Sequence, residues 1–305
     1  RTWRWMGHEV SPDNKAFAFA FPPDAAEVRF CFAIPYTEQN LRQFLDRIGP
    51  QAPLRRSVLC RSRKGREVEL LRFGCIDNQP RLRVLLAARH HCCEMMASYE
   101  LEGMIEAAFS DDPDGQWLRG NVEFMAVPFM DKDGVEEGDQ GKNRKPHDHN
   151  RDYGGDNPDA SIYPEVAALR RMVPEWSAGR LRMAFDLHCP YIRGDLNEDI
   201  YFVGRPDQRV WEAVGRFSAL LEAVRRGPLP YSSANNLPFG KGWNTCNDPA
   251  HRNFQRWASD LPGIVLATTI ELPYAAAGGV PVTPESARAF GRDLARAISV
   301  FARQL

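Results

Sequence analysis

A histidine and a glutamate lie three residues apart, directly after an apolar segment of the chain. His91 and Glu94 follow residues 82–88, which read as a strand, at the point where that strand gives way to a helix. Side chains with this spacing can turn toward one point, and imidazole and carboxylate are both zinc ligands. The pair therefore indicates two ligands of a zinc site, and the start of a surface helix is the ordinary alternative.

A third ligand stands at the end of another apolar run. A catalytic zinc site uses three protein ligands and keeps one position open. His188 directly follows residues 181–187, and open α/β sheets place their sites at the carboxyl ends of strands. A loop histidine that hydrogen-bonds to Asp186 is the alternative. Other side chains able to bind zinc are His90, His147, His149, His251, Cys92, Cys93 and Cys189.

A carboxylate ends the last apolar run of the chain. Glu271 follows residues 264–270, so we expect it at the same sheet edge as His188. A partly desolvated carboxylate has a raised pKa and suits the removal of a proton from a water molecule. The alternative is an edge carboxylate that pairs with a neighbouring arginine.

The polar segment 131–161 carries the remaining candidates. Asn150 and Arg151 together offer the parallel donors that grip a carboxylate. Arg144 could stabilise an oxyanion, and Asp148 could accept a hydrogen bond from the outer nitrogen of a metal-binding histidine. A solvated run of charges is the alternative for the whole segment.

Composition excludes several classes of protein. The 305 residues include 39 Lys and Arg against 40 Asp and Glu, so the basic excess of a nucleic-acid or anionic-membrane binder is missing. No apolar run reaches the roughly 18 residues of a membrane span, and we expect a soluble globular protein. Seven scattered cysteines without a C-x-x-C pair favour a reducing compartment such as the cytoplasm. Because the first residue is Arg1, we also expect an upstream segment, which leaves the compartment open.

Strand-like and helix-like segments alternate along the chain, which predicts an α/β fold. The predicted strands are 68–73, 82–88, 122–127, 181–187, 200–203 and 264–270, and the main predicted helices are 95–109, 163–172, 208–226 and 284–303. Thr283 is expected to cap the last helix, and Thr37 a further helix around 40–45. The polar segments 131–161 and 228–250 are expected to be functional loops.

Residues 1–48 are predicted to form a short β-rich segment ahead of a main domain over 49–305. Residues 16–21 and 27–33 alternate between apolar and polar side chains with a period of two, which is typical of half-buried antiparallel strands.

In their order along the chain, these motifs resemble the zinc metallocarboxypeptidase family, the carboxypeptidase A-like clan, and especially its cytosolic carboxypeptidase branch. The motifs that carry the resemblance are Pro35-Tyr36-Thr37, Arg89-His90-His91-Cys92-Cys93-Glu94, Val127-Pro128, Asp133-Gly134-Val135, Gly141-Lys142-Asn143-Arg144, Asp148-His149-Asn150-Arg151, Asp186-Leu187-His188 and Ile270-Glu271. Cys92-Cys93 stands where the family has Pro-Gly.

The resemblance implies a mixed, mostly parallel sheet with helices on both faces. It also implies one Zn²⁺ per chain, held by His91, Glu94 and His188, with Glu271 as general base. By the same resemblance, Asn150 and Arg151 bind the terminal carboxylate of the substrate, Arg144 stabilises the oxyanion and Asp148 orients His91. Tyr231 and Tyr274 are candidates for the tyrosine that closes over the substrate.

The function expected is zinc-dependent removal of C-terminal residues from peptides or proteins, with a water activated by the metal and Glu271. Lys241, Arg252 and Arg256, beside Trp243 and Trp257, suggest a preference for acidic terminal residues. The alternatives are a zinc amidase or deacylase acting on N-acyl amino acids or peptidoglycan stem peptides, and an inactive carboxylate-binding pseudoenzyme. The oligomeric state is left open.

Overall fold

A computed structural model describes residues 3–7, 16–49, 52–246, 248 and 252–305. The α-helices are α1 (Glu38–Ile48), α2 (Met95–Phe109), α3 (Pro113–Asn121), α4 (Lys132–Glu137), α5 (Pro164–Ser177), α6 (Gln208–Val224), α7 (Phe254–Ser259) and α8 (Pro284–Ala302). The strands are β1 (Leu54–Arg61), β2 (Glu67–Gly74), β3 (Leu82–Ala88), β4 (Val122–Val127), β5 (Leu181–His188), β6 (Tyr201–Val203), β7 (Leu266–Glu271), β8 (Ala276–Ala277) and β9 (Val280–Pro281).

Seven strands form one sheet in the order β1-β2-β4-β3-β5-β7-β6. The four neighbours β4, β3, β5 and β7 are parallel, and β2 and β6 flank them in the antiparallel sense. Every residue of β4 and β7 is buried, as expected for strands covered on both faces. One face packs against α1, α2, α6 and α8, and the other packs against α5 and α7. The predicted α/β class and mostly parallel sheet are confirmed.

The helix that follows the candidate metal ligands is fixed by a close backbone contact. A Cβ atom at Gly103 in α2 would lie 2.0 Å from the carbonyl oxygen of Arg288 in α8. A Cβ atom at Gly291 would lie 2.0 Å from the carbonyl oxygen of Glu100. Because only glycine leaves room for this approach, the two helices pack backbone to backbone and hold α2 in place.

Thr37 and Thr283 occupy the N-cap positions of α1 and α8, as predicted. The Asn40 side chain accepts from the backbone N–H of Thr37 at the start of α1. Thr283 accepts a hydrogen bond from the backbone of Ser286 at the start of α8, where Pro284 is the first helical residue. These bonds satisfy amide groups that the first turn of a helix leaves without partners.

The strands predicted at residues 16–21 and 27–33 are wrong. Within the described residues, segments 16–21 and 27–33 are irregular and α1 is the regular element that precedes β1. A period of two makes a strand only where a partner strand can satisfy the backbone, and here the rings of the segment pack on each other instead. Phe17 and Phe19 lie 5.4 and 5.1 Å from Phe30 between ring centroids. The domain boundary near residue 48 stays a prediction.

The seven cysteines are unpaired. Among the described helices, none combines the length and apolar character required to cross a bilayer.

Candidate active site

Three neighbouring strands end at one edge of the sheet, where the predicted site residues meet. In the parallel register of β5 and β7, His188 lies opposite Glu271. β3 pairs with β5 on its other side, and the turn after β3 carries His91. Glu94 occupies the N-cap position of α2, where the positive end of the helix dipole favours a carboxylate.

The turn between β3 and α2 is held by Arg89, a fully buried arginine with a left-handed backbone φ of 62°. Its guanidinium donates to the Tyr36 carbonyl oxygen at 3.1 Å, to Ser98 Oγ at 2.9 Å and to the Cys92 carbonyl oxygen at 3.0 Å. The side chain thus supplies donors to a turn that lacks regular backbone pairing. This arrangement fixes the direction in which His91 leaves the sheet.

His91, Glu94 and His188 converge on a single point. Glu94 Oε1 lies 3.0 Å from His91 Nδ1, and Glu94 Oε2 lies 2.7 Å from His188 Nδ1. Glu94 and His188 are buried, and the side chain of His91 is 13% exposed. Glu94 Oε2 makes no hydrogen bond of regular geometry with any described residue. Two imidazole nitrogens and a buried carboxylate in this arrangement form a donor set that fits a divalent cation such as Zn²⁺.

Electrostatics agree with a cation site. Burial acts to raise the pKa of Glu94, but Lys142, His188 and His91 outweigh it and hold that pKa well below its usual range. Burial acts to lower the pKa of His188, and Asp186 and Glu94 raise it well above the usual range. Glu94 is therefore ionised, and the negative charges of Glu94 and Asp186 attract positive charge to the centre.

Glu271 lies beside this centre as an isolated carboxyl group. Burial raises its pKa to about 7, against the opposing effect of His188. Its Oε2 atom has no hydrogen-bond partner among the described residues. A buried carboxyl group with a pKa near neutrality can both accept and return a proton.

The predicted polar loop contributes three of its four candidates to the site. Asp148 Oδ1 lies 3.6 Å from His91 Nε2, the ring nitrogen that points away from Glu94. Asn150 accepts from the Phe254 backbone through Oδ1, and its Nδ2 lies 3.2 Å from His188 Nε2. Arg151 lines the same cavity as the three metal-ligand candidates. Their assigned roles stay predictions.

The fourth candidate, Arg144, is not brought to the site. Its guanidinium pairs with Asp131 and, at 3.1 Å, with Asp139 Oδ2, in a separate pocket of about 320 Å³. The nearby cation in the site is Lys142, whose Nζ lies 2.7 Å from Glu94 Oε1 and 3.2 Å from the Cys189 carbonyl oxygen. This placement gives no support to the oxyanion role predicted for Arg144.

The site opens into a cavity of about 440 Å³ with a wall rich in arginine. The arginines that line the cavity are Arg151, Arg193, Arg205, Arg252 and Arg256. Arg205 is 8% exposed, and burial, with the neighbouring charges of Arg256, Arg151 and Arg252, lowers its pKa to about 10. Such a concentration of cations, only partly balanced by acids, favours an anionic ligand.

Arg205 and Arg193 were not predicted from the sequence. They follow short or irregular segments in which apolar residues do not recur at a helix or strand period. Of the residues predicted to set side-chain preference, Arg252, Arg256 and Trp243 line the cavity, whereas Lys241 and Trp257 are not among its lining residues.

Neither tyrosine predicted to close over the substrate lines the cavity. Tyr231 donates to Asn236, and Tyr274 lies 3.6 Å from Cys93 Sγ. Tyr191, which is 62% exposed, and Tyr201 line the cavity instead.

The alternative ligands are mostly engaged elsewhere. His90 contacts Asp186 at 2.6 Å, and His147 contacts Asp152 at 2.8 Å. His149 is buried in the pocket that contains Arg144, and His251 lies outside the described residues. Burial raises the pKa of Cys92, Cys93 and Cys189, which keeps these side chains as thiols.

No family model matches the chain. The chain is 28% identical over 165 residues to cytosolic carboxypeptidase 2 of Danio rerio, a match that covers 49% of this chain and 23% of that protein. It therefore spans about a quarter of the length of this relative. A metallo-carboxypeptidase from Burkholderia cenocepacia superposes with a TM-score of 0.71 at 22% identity, over 88% of this chain and 70% of the other. A metallo-carboxypeptidase from Pseudomonas aeruginosa, solved with (2-guanidinoethylmercapto)succinic acid, superposes with a TM-score of 0.68 at 21% identity, with the same coverage.

The structural likeness shows that the chain has the metallocarboxypeptidase fold. The sequence match to a cytosolic carboxypeptidase is more specific. It confirms the predicted resemblance to the zinc metallocarboxypeptidases and to their cytosolic carboxypeptidase branch.

Proposed function

We propose that the protein is a zinc carboxypeptidase that removes residues from the C-terminus of peptides or proteins and prefers acidic terminal residues. The observation that carries the proposal is the convergence of His91, Glu94 and His188 beside Glu271, in a cavity lined by arginines. Peptide or protein C-termini are the proposed partners, and the seven unpaired cysteines support a reducing compartment such as the cytoplasm.

The three ligand candidates would hold Zn²⁺, which when bound polarises the scissile carbonyl group and increases the acidity of the attacking water. Glu271 takes the proton from that water and returns it to the leaving amine. Its isolation and its pKa of about 7 support both steps, because the carboxylate is present at neutral pH and the carboxylic acid is accessible. Asp148 holds His91 from the outer nitrogen.

Lys142 takes the role predicted for Arg144. Its ammonium group lines the cavity next to Glu94, which supports a role in stabilising the negative charge that develops on the scissile carbonyl oxygen. Arg144 is already paired with two aspartates, and moving it into the cavity would break both ion pairs.

Asn150 and Arg151 bind the terminal carboxylate in this proposal. Arg205, Arg252 and Arg256 then surround the terminal side chain, and their charges favour a second carboxylate in that position. Together these features support substrates that end in glutamate or aspartate.

The proposal is tested with a pair of peptides that differ only at the terminus, one with a free acid and one amidated. We expect the wild type to trim the free acid and to spare the amide. Arg151→Ala should lower kcat/KM for the free acid, whereas Arg216→Ala, an exposed arginine on α6 outside the cavity, should not. Equal cleavage of both peptides would contradict the carboxypeptidase proposal and favour an amidase.

A further inference from the structure

We propose that a buried chain of four side chains, Tyr153–His90–Asp186–His188, positions His188 for metal binding and ties it to the cavity wall. The inference rests on the proposed function, since His188 acts there as a metal ligand. It assigns positioning roles to His90 and Tyr153. Neither residue belongs to the ligand set, the base or the carboxylate clamp.

The chain is continuous, and its members are isolated from solvent. Tyr153 OH lies 2.7 Å from His90 Nε2, and His90 Nδ1 lies 2.6 Å from Asp186 Oδ1. Asp186 Oδ2 lies 2.8 Å from His188 Nε2, a close ion-pair contact without regular hydrogen-bond geometry. The first three residues are fully buried, and His188 is 2% exposed. The rings of His90 and His188 are parallel within 2°, with their centroids 5.8 Å apart.

The contacts of the chain set which nitrogen of His188 faces the metal centre. Each oxygen of Asp186 lies on one histidine, Oδ1 on His90 Nδ1 at 2.6 Å and Oδ2 on His188 Nε2 at 2.8 Å. Because His188 is contacted at Nε2, its Nδ1 faces Glu94 at 2.7 Å and the centre of the ligand set. A partner on the outer nitrogen of a metal-binding histidine fixes the orientation of its ring.

Tyr153 connects this chain to the part of the cavity that would hold the substrate. Its backbone N–H donates to the Arg252 carbonyl oxygen at 3.1 Å, and Arg252 lines the cavity. Its ring packs against Phe254 and Trp257 in α7, with centroids 5.7 and 5.3 Å away. Phe254 is also the residue whose backbone amide holds Asn150. Loss of the Tyr153 hydroxyl should therefore weaken metal binding, while the backbone and ring contacts of Tyr153 with the cavity wall stay in place.

The test is the metal dissociation constant, measured on the full chain by competition with a chelator. We expect Tyr153→Phe to weaken zinc binding, but by less than the roughly tenfold or more seen when a direct partner of a metal-binding histidine is removed. His90→Leu should weaken it further, and His90→Gln, which keeps an amide donor near Asp186, should recover part of the loss. Tyr36→Phe is the control: like Tyr153→Phe it removes a buried, hydrogen-bonded tyrosine hydroxyl, but the partner of that hydroxyl is Glu102, at 2.7 Å, and not a member of the chain.

The outcomes separate the inference from the function on which it rests. Tyr153→Phe and His90→Leu with wild-type metal affinity, and a loss of stability no different from that of Tyr36→Phe, would show a structural role only and overturn the inference. A wild type that binds zinc but trims no peptide would overturn the proposed function and leave the inference standing if both variants bind zinc more weakly. A wild type without zinc affinity would overturn both.

Discussion

Arg205 is the residue whose replacement tests the acidic preference most sharply. Its guanidinium is buried in the cavity, next to the charges of Arg256, Arg151 and Arg252, with Asp260 as an opposing acidic neighbour. This excess of positive charge favours an anion supplied by the substrate. Arg205→Met keeps an unbranched side chain and removes the charge.

The size of the effect follows from the contact that is lost. A hydrogen bond to a charged group contributes about 1.5–3 kcal/mol, and about 1.4 kcal/mol corresponds to a factor of ten. Removing Arg205 should therefore lower kcat/KM for a peptide ending in glutamate by about 10- to 150-fold. The same variant should keep or raise the melting temperature, because it relieves repulsion among buried cations.

The assay compares two peptides identical except for a terminal glutamate or glutamine, which have nearly the same shape. We expect the wild type to prefer glutamate. In Arg205→Met, kcat/KM should fall for the glutamate peptide and stay the same for the glutamine peptide, so that most of the preference is lost. Arg216→Met serves as the control, since Arg216 is exposed on α6. An unchanged ratio of kcat/KM values in Arg205→Met would refute the reasoning, as would an equal loss for both peptides.

Three further predictions concern other parts of the molecule. Lys142→Met should lower kcat by about 100-fold in steady-state kinetics, as removal of an oxyanion donor does. It should also tighten zinc binding in chelator competition, because the variant removes a cation next to Glu94. An unchanged kcat would exclude Lys142 as the donor. Gly103→Ala should destabilise the fold by about 2 kcal/mol or more in denaturant titrations, because its Cβ would meet the Arg288 backbone; wild-type stability would contradict the close contact of α2 and α8. Burial raises the pKa of Glu165 to about 7 in the folded state, so between about pH 4.5 and 7 the folded state binds more protons than the unfolded state. The free energy of unfolding should therefore fall by up to about 3 kcal/mol as the pH rises through this range. Glu165→Gln should flatten this slope when unfolding is measured against pH, and an identical slope would contradict the prediction.

The sequence predicted the central sheet and the longer helices because their periodicity is set by burial. β3 and α2 occur where predicted, and α6 and α8 differ from their predictions by one or two residues at the C-terminus. The edge strand β1 was missed because most of its residues are exposed and polar, so no apolar pattern marks it. In residues 16–33 the pattern is present but the strands are not. A period of two shows that a segment could form a strand, but it does not show whether a partner strand is available.

The site was predictable to the extent that strand ends determine it. His188 and Glu271 are the last residues of adjacent parallel strands, so topology alone brings them together. The choice between Lys142 and Arg144 was not predictable, because both lie in an irregular loop after Gly141, whose φ of 88° sets the chain direction. Arg205 was missed for a related reason: it follows the three-residue strand β6, and only the folded loop places it in the cavity.

The measurement that tests the central claim most directly combines metal content with mass spectrometry of a free-acid peptide library, for the wild type and Glu271→Gln. The account predicts one zinc per chain in both proteins, loss of single C-terminal residues with the wild type, most rapidly glutamate and aspartate, and no loss with the variant. Zinc binding without any trimming by the wild type, or trimming that survives in Glu271→Gln, would contradict it.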